Sequence, residues 1–150
     1  MKQVEGDLIA LARDGQFDVI VHGCNCFHNM GGGIARIIAR TFPEALAADR
    51  ATPKGDPAKL GTISQATVAC GGHRLTVVNA YTQFDYQGPG PLVDYDALFR
   101  AFRAVAQAHS GARIAYPMIG AGLAGGDWAR IAPLIETALD GLDHSLVTLP

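Results

Sequence analysis

This sequence predicts a layered α/β domain, and three observations carry the prediction. Apolar runs of strand length alternate with apolar stripes at helical spacing, the pattern of helices stacked on a sheet. The chain has 150 residues, 49% of them hydrophobic, which supplies one core and leaves no length for a second domain, so residues 1–150 read as a single unit. Its glycine clusters fall where strand-like runs give way to helix-like stripes.

In chain order, Asp18-Val19-Ile20-Val21-His22 is a short apolar run suited to a buried strand. From Gly33 the period changes, and Ile34, Ile37, Ile38 and Phe42 fall on one helical stripe, which Pro43 ends or kinks. Residues 49–60 are polar and turn-rich and read as an exposed connection. Residues 61–68 and 74–83 read as two strands joined at Gly71-Gly72, a hairpin turn. Residues 87–91 form a Gly/Pro loop that could cover a ligand. Asp94 or Asp96 caps the next helix, whose stripe is Leu98, Phe99, Phe102 and Val105. Residues 114–119 read as another strand. Ile131, Leu134, Ile135, Ala138, Leu139 and Leu142 then give an amphipathic helix that Pro133 begins or kinks, and residues 145–149 close the chain as a strand.

Composition excludes some functions. Twelve basic and fourteen acidic side chains give a net charge of -2 without long runs, which argues against unspecific binding of nucleic acid. A small anionic ligand stays open, because backbone amides hold phosphate without any Lys or Arg. Cys24, Cys26 and Cys70 cannot all pair. With no charged leader before an apolar segment and no membrane-length apolar run, a reduced, cytoplasmic protein is expected, with no membrane association.

The first glycine loop is Asn25-Cys26-Phe27-His28-Asn29-Met30-Gly31-Gly32-Gly33-Ile34-Ala35. Three consecutive glycines are costly to order, so their place before a helix points to bare backbone approached by a ligand. The helix N-terminus adds unpaired N–H groups and partial positive charge, and the two together make an anion site. The second loop, Gly120-Ala121-Gly122-Leu123-Ala124-Gly125-Gly126-Asp127, matches G-x-G-x-x-G at Gly120, Gly122 and Gly125. A dinucleotide-binding unit would need a full βαβ unit and an acidic residue at the end of the next strand; only one strand remains, residues 145–149, and it carries no acid. The loop keeps its phosphate-binding mechanics nonetheless. No P-loop lysine is present, which sets an ATPase aside. In parallel α/β sheets ligands sit beyond the strands' carboxyl ends, so both loops are expected on one edge, gripping a diphosphate from two sides.

These residues resemble the macrodomain family. Gly6-Asp7-Leu8-Ile9 is similar to its N-terminal element, whose Asp hydrogen-bonds the adenine amino group. Asn25 with Gly31, Gly32, Gly33 and Ile34 is similar to its first loop, where the Asn contacts the distal ribose. Gly120, Ala121, Gly122 and Leu123, continued by Ala124 and Gly125, are similar to its diphosphate loop. The resemblance spans nearly the whole chain in order. It implies a three-layer α/β/α fold with a mixed central sheet of about six strands, and ADP-ribose or a derivative as ligand, held by Asp7, Leu8, Asn25 and the two loops.

Within the family, His22-Gly23-Cys24-Asn25-Cys26 followed by Gly31-Gly32-Gly33-Ile34-Ala35 is most similar to the branch that removes phosphate from ADP-ribose-1″-phosphate. Two other mechanisms lack their residues here. One hydrolase branch uses a Lys after a strand like residues 78–82 and an Asp after the second loop's G-x-G-L, where this chain has Gln83 and Ala124. Another places a catalytic Asp after the first glycine run, where Ile34 and Ala35 stand. The candidate catalytic residues are therefore His22, as acid or base near neutral pH, Asn25, and Asp127, which is also a natural cap for the helix at Trp128. Alternate placement of His22, Cys24 and Cys26, with His28, invites a zinc reading. C-x-C spacing is against it, and neither metal nor cofactor is expected. The expected function is ADP-ribose-1″-phosphate hydrolysis by a monomer. The alternatives are a non-catalytic ADP-ribose reader and a hydrolase freeing ADP-ribose from modified macromolecules.

Overall fold

The computed structural model describes residues 1–150 and contains six strands and five α-helices. In chain order they are β1 (Lys2–Glu5), α1 (Leu8–Arg13), β2 (Val19–Cys24), α2 (Gly33–Thr41), α3 (Pro43–Arg50), a 3-10 turn at Pro57–Lys59, β3 (Ile63–Cys70), β4 (His73–Tyr81), α4 (Tyr95–Ala108), β5 (Ile114–Tyr116), α5 (Trp128–Ala138) and β6 (His144–Thr148). The strands form one mixed sheet in the order β1-β6-β5-β2-β4-β3, parallel throughout except where β3 runs against β4.

Strand alternation builds the three layers. On β2, Val19 and Val21 face one side and Ile20 the other; on β4, Val78 and Ala80 oppose Val77; on β6, Leu146 opposes Val147. The first face carries α4 and α5, through Leu98, Phe102, Val105, Ile131 and Ile135. The second carries α1, α2 and α3, through Leu8, Ile9, Ile38, Phe42 and Ala45. Because both faces are covered, the central strands read as unbroken apolar runs.

Several boundaries differ from the sequence reading. Pro43 ends α2 and also opens α3 as its first residue, where its missing N–H costs nothing. α5 starts at Trp128, so Pro133 lies inside the helix. β5 stops at Tyr116 because Pro117 cannot continue a ladder, and β4 stops at Tyr81, with Gln83 making only an isolated bridge to Val93. The 49–60 connection is exposed at half of its positions and buries Asp49 and Lys59. The hairpin turn falls at Gly71-Gly72, with φ +62° at Gly71, and Asp94 is the residue that caps α4.

The site follows from the topology. β2 and β5 are neighbours, but the chain leaves β2 toward β4 and β3 and leaves β5 toward β6 on the other side. Such a reversal opens a crevice at the carboxyl ends of the two strands. Both glycine loops begin there, one leading to α2 on one face and the other to α5 on the opposite face.

Candidate functional site

The two loops wall a cleft of about 730 Å³. Asn25, Gly31, Gly32, Gly33 and Ile34 line it from the first loop, and Gly120, Gly122, Leu123 and Ala124 from the second. The loops nearly touch: a β-carbon on Gly32 would lie 3.1 Å from Leu123 Cδ1, whose side chain is 80% exposed at the rim.

The walls are rich in unused backbone donors. α2 begins at Gly33 with Gly32 as its cap residue and no side chain capping it. The N–H groups of Gly32, Gly33, Ile34 and Ala35 have no acceptor within the protein. In the second loop Gly126 N–H donates to Gly120 O at 2.7 Å and Gly125 N–H to Gly122 O at 3.0 Å, which closes the turn on itself. That leaves the N–H groups of Gly122, Leu123 and Ala124 without acceptors. Two facing rows of free amides, one at a helix N-terminus, form an anion-binding wall pair.

Asn25 organises the first loop. Its Oδ1 accepts from Phe27 N–H at 2.9 Å and from Asn29 N–H at 3.4 Å, and its Nδ2 donates to Asn29 O at 2.7 Å. Asn29 in turn accepts from Gly31 N–H at 2.9 Å. The neighbouring His28 takes φ +59° in the left-handed region, the one non-glycine residue to do so.

The structure does not bring every expected residue to the cleft. His22 is fully buried on the α1–α3 face of β2 and is absent from the lining. Asn79 Nδ2 donates to Ala45 O and Ser64 Oγ, so its Oδ1 is the acceptor for His22 Nε2–H at 2.7 Å. Burial pulls the His22 pKa down to about 4, against the opposing influence of Asn79 and the Asp49 charge. The imidazole is thus neutral at pH 7. Asp127 caps α5, accepting from Ala129 N–H at 3.0 Å, and lies outside the lining with Ala121 and Gly125. Asp7 caps α1 through Oδ1, accepting from Ala10 N–H at 2.9 Å, and Leu8 is buried beside it; neither lines the cleft.

Other lining residues escaped the sequence reading: Gly23, Asn29, Gln83, Leu92, Pro117 and Met118. Gly23 escaped because β2 alternation puts it opposite His22, so that placing His22 at the site turns Gly23 away from it. Leu92 was not, because it enters through a tertiary bond from its N–H to Ala124 O at 2.7 Å, which ties the 87–91 loop to the second glycine loop. No three His, Cys, Asp or Glu side chains are placed to share a metal. Cys24 Sγ lies 3.6 Å from His22 Nε2, Cys26 turns to Gln83 O, and His28 turns to Thr52 O. Burial raises the pKa of both Cys24 and Cys26. No helix is long and apolar enough to cross a membrane.

Comparison with known proteins agrees with this fold. The family model for the Macro domain matches residues 21–135. The chain is 36% identical over 152 residues to an uncharacterized 17.5 kDa protein from the tk-vs intergenic region of Enterobacteria phage T4, covering 98% of this chain and 95% of the phage protein. The macrodomain of Thermus aquaticus DarG superposes with a TM-score of 0.75 at 22% identity, over 99% of this chain and 97% of that one. Thermosipho africanus DarTG, solved in complex with ADP-ribose, superposes with a TM-score of 0.72 at 16% identity, over all of this chain and 42% of that one. With its glycine loops, its three-layer fold and these matches, the chain belongs to the macrodomain family.

Proposed function

We propose that this protein binds ADP-ribose between the two glycine loops and removes the 1″-phosphate from ADP-ribose-1″-phosphate. The observation that carries the binding is the pair of facing amide rows, Gly32 to Ala35 and Gly122 to Ala124, none with an acceptor inside the protein. No charged side chain lines the cleft, so a diphosphate there is held by hydrogen bonds, chiefly from main-chain N–H groups, and not by ion pairs. Asn25 takes the distal ribose. Asp7 takes the adenine amino group through Oδ2, the oxygen its capping bond leaves unused, with Leu8 alongside.

His22 serves turnover in this reading as a positioning residue. Bonded to Asn79 beneath the sheet surface, it fixes the carboxyl end of β2, from which Asn25 reaches the cleft. Asp127 acts likewise, by anchoring the end of the second loop on α5. Hydrolysis then has a water molecule add to the 1″-phosphorus as its bond to the ribose 1″-oxygen breaks, releasing phosphate and ADP-ribose, and relies on the orientation that the ribose and diphosphate contacts impose.

One observation favours a second reading, a reader of free or macromolecule-linked ADP-ribose: no carboxylate, histidine, cysteine, lysine or arginine side chain lines the cleft. Phosphate release from ADP-ribose-1″-phosphate, followed beside calorimetry with ADP-ribose, separates the two. Release together with binding is the expected result. Binding without release makes the protein a reader, or a hydrolase for another ADP-ribose linkage. Absence of binding overturns the proposal. His22→Ala should weaken binding and turnover together and His22→Gln should restore both. Loss of kcat alone, with the acidic limb of its pH profile gone, would instead give His22 a direct proton-transfer role.

A further inference from the structure

Beside the cleft, across the first glycine loop from the second, lies another cavity of about 560 Å³. The two are continuous, because Asn29, Gly31 and Tyr86 line both. They differ in side-chain charge: no charged side chain lines the cleft, whereas Arg50 and Lys54 line the second cavity with no carboxylate among their neighbours in its wall. Neither cation is engaged in a salt bridge.

The backbone that carries these two exposed side chains is held in place. His28 Nε2 donates to Thr52 O at 2.7 Å and Gly55 N–H donates to Cys26 O at 2.6 Å, so the 50–55 segment is tied to the first loop at two points. His28 keeps its left-handed backbone while making the first of these bonds, a conformation that costs free energy and persists only where its surroundings enforce it. Asn25, which the proposed function puts against the distal ribose, bonds Asn29 on the shared wall.

We infer that this basic cavity is an anion subsite for a phosphoryl group borne by the distal ribose of the ligand, bound by Arg50 and Lys54. The inference rests on the proposed ADP-ribose reading and adds a selectivity to it: ADP-ribose carrying a distal phosphate is preferred over ADP-ribose itself. The cleft amides set the common affinity and the two cations set the difference.

Calorimetry with ADP-ribose and with a non-hydrolysable 1″-phosphonate analogue tests it, on the wild-type chain, on Arg50→Gln/Lys54→Gln, and on Arg103→Gln as an exposed charge change on α4. Partly exposed charge-assisted contacts of this kind are worth about tenfold together. The phosphonate should bind about tenfold more tightly than ADP-ribose to the wild-type chain and to Arg103→Gln. That preference should shrink with added salt, and the double variant should lose it while its ADP-ribose affinity stays unchanged. Equal affinity of the wild-type chain for the two ligands overturns the subsite and leaves the ADP-ribose reading standing. Equal weakening of both ligands in the double variant also overturns it, because the cations would then serve the cleft as a whole. No binding of ADP-ribose to the wild-type chain overturns the parent reading and this one with it. The unchanged ADP-ribose affinity of the double variant is itself the evidence that it is folded.

Discussion

Burial makes His22 a pH-dependent element of stability. Its folded pKa is about 4, below the ordinary value of 6.5, so between those values the unfolded chain binds a proton that the folded chain refuses. The stabilisation is therefore fully present above pH 6.5 and is lost as the pH falls toward 4, by an amount on the order of 3 kcal/mol. Urea unfolding at pH 7 and pH 4.5 should show the wild-type chain losing more stability than His22→Gln over that interval. Burial also lowers His109 and His144, and whatever they contribute is the same in both proteins and cancels in the comparison. Asp18 does not interfere, since its bond to Arg113 holds its carboxyl at about 2 and its contribution is lost only as the pH falls below about 4. Equal pH slopes in the two proteins would mean that the imidazole is reached by solvent. His22 also shows where residue-level reading of a sequence stops. Its place on a strand near the site was legible, but which face it took depended on the parity of β2 against the loop, and its partner Asn79 lies 57 positions away.

The second glycine loop separates two kinds of glycine at the scale of the element. A β-carbon on Gly126 would come within 2.5 Å of Gly120 O and of Val93 Cγ1, so Gly126→Ala must displace backbone and the α4 side of the core. It should destabilise by about 1–3 kcal/mol, in line with other overpacked sites, and lower the melting temperature with or without ligand. Gly122 has open space around its Cα and no positive φ, so Gly122→Ala should leave the melting temperature unchanged while weakening ADP-ribose binding. Should Gly122→Ala bind normally, the loop's backbone does not approach the ligand there. The sequence made these loops visible because glycine clusters at strand-to-helix junctions have few other uses. It hid elements too short to show a period: β1 has four residues and α1 six, with one turn of apolar contact each at most. It hid α3 as well, since Pro43 signals an end and a beginning equally, and α3 carries little amphipathic pattern. Of the six strands, the five with apolar runs could be placed from sequence, and β1 could not.

At the scale of the whole molecule, the cleft joins two cores that the sheet keeps apart. The first loop leads into α2 on one face and the second into α5 on the other, so a ligand across both loops links the layers at their shared edge. Binding to the folded state alone adds about 2.7 kcal/mol at a ligand concentration of 100 Kd. For a domain of this size that corresponds to a rise of roughly 5–11 °C in melting temperature. A global shift of this sort says nothing about where contact occurs, whereas amide exchange does. With saturating ADP-ribose, exchange should slow at Gly32 to Ala35 and at Gly122 to Ala124 together, because these amides have no protein acceptor until the diphosphate supplies one. The Gly71-Gly72 turn, at the opposite end of β4 from the cleft, should exchange at its ligand-free rate. Protection confined to one loop would show that the ligand lies along a single wall, and that the strand reversal between β2 and β5 opens a crevice the ligand does not span. Protection in both, with the distant turn unmoved, would mean that two separated stretches of sequence act as one site because the sheet order brings them to the same edge.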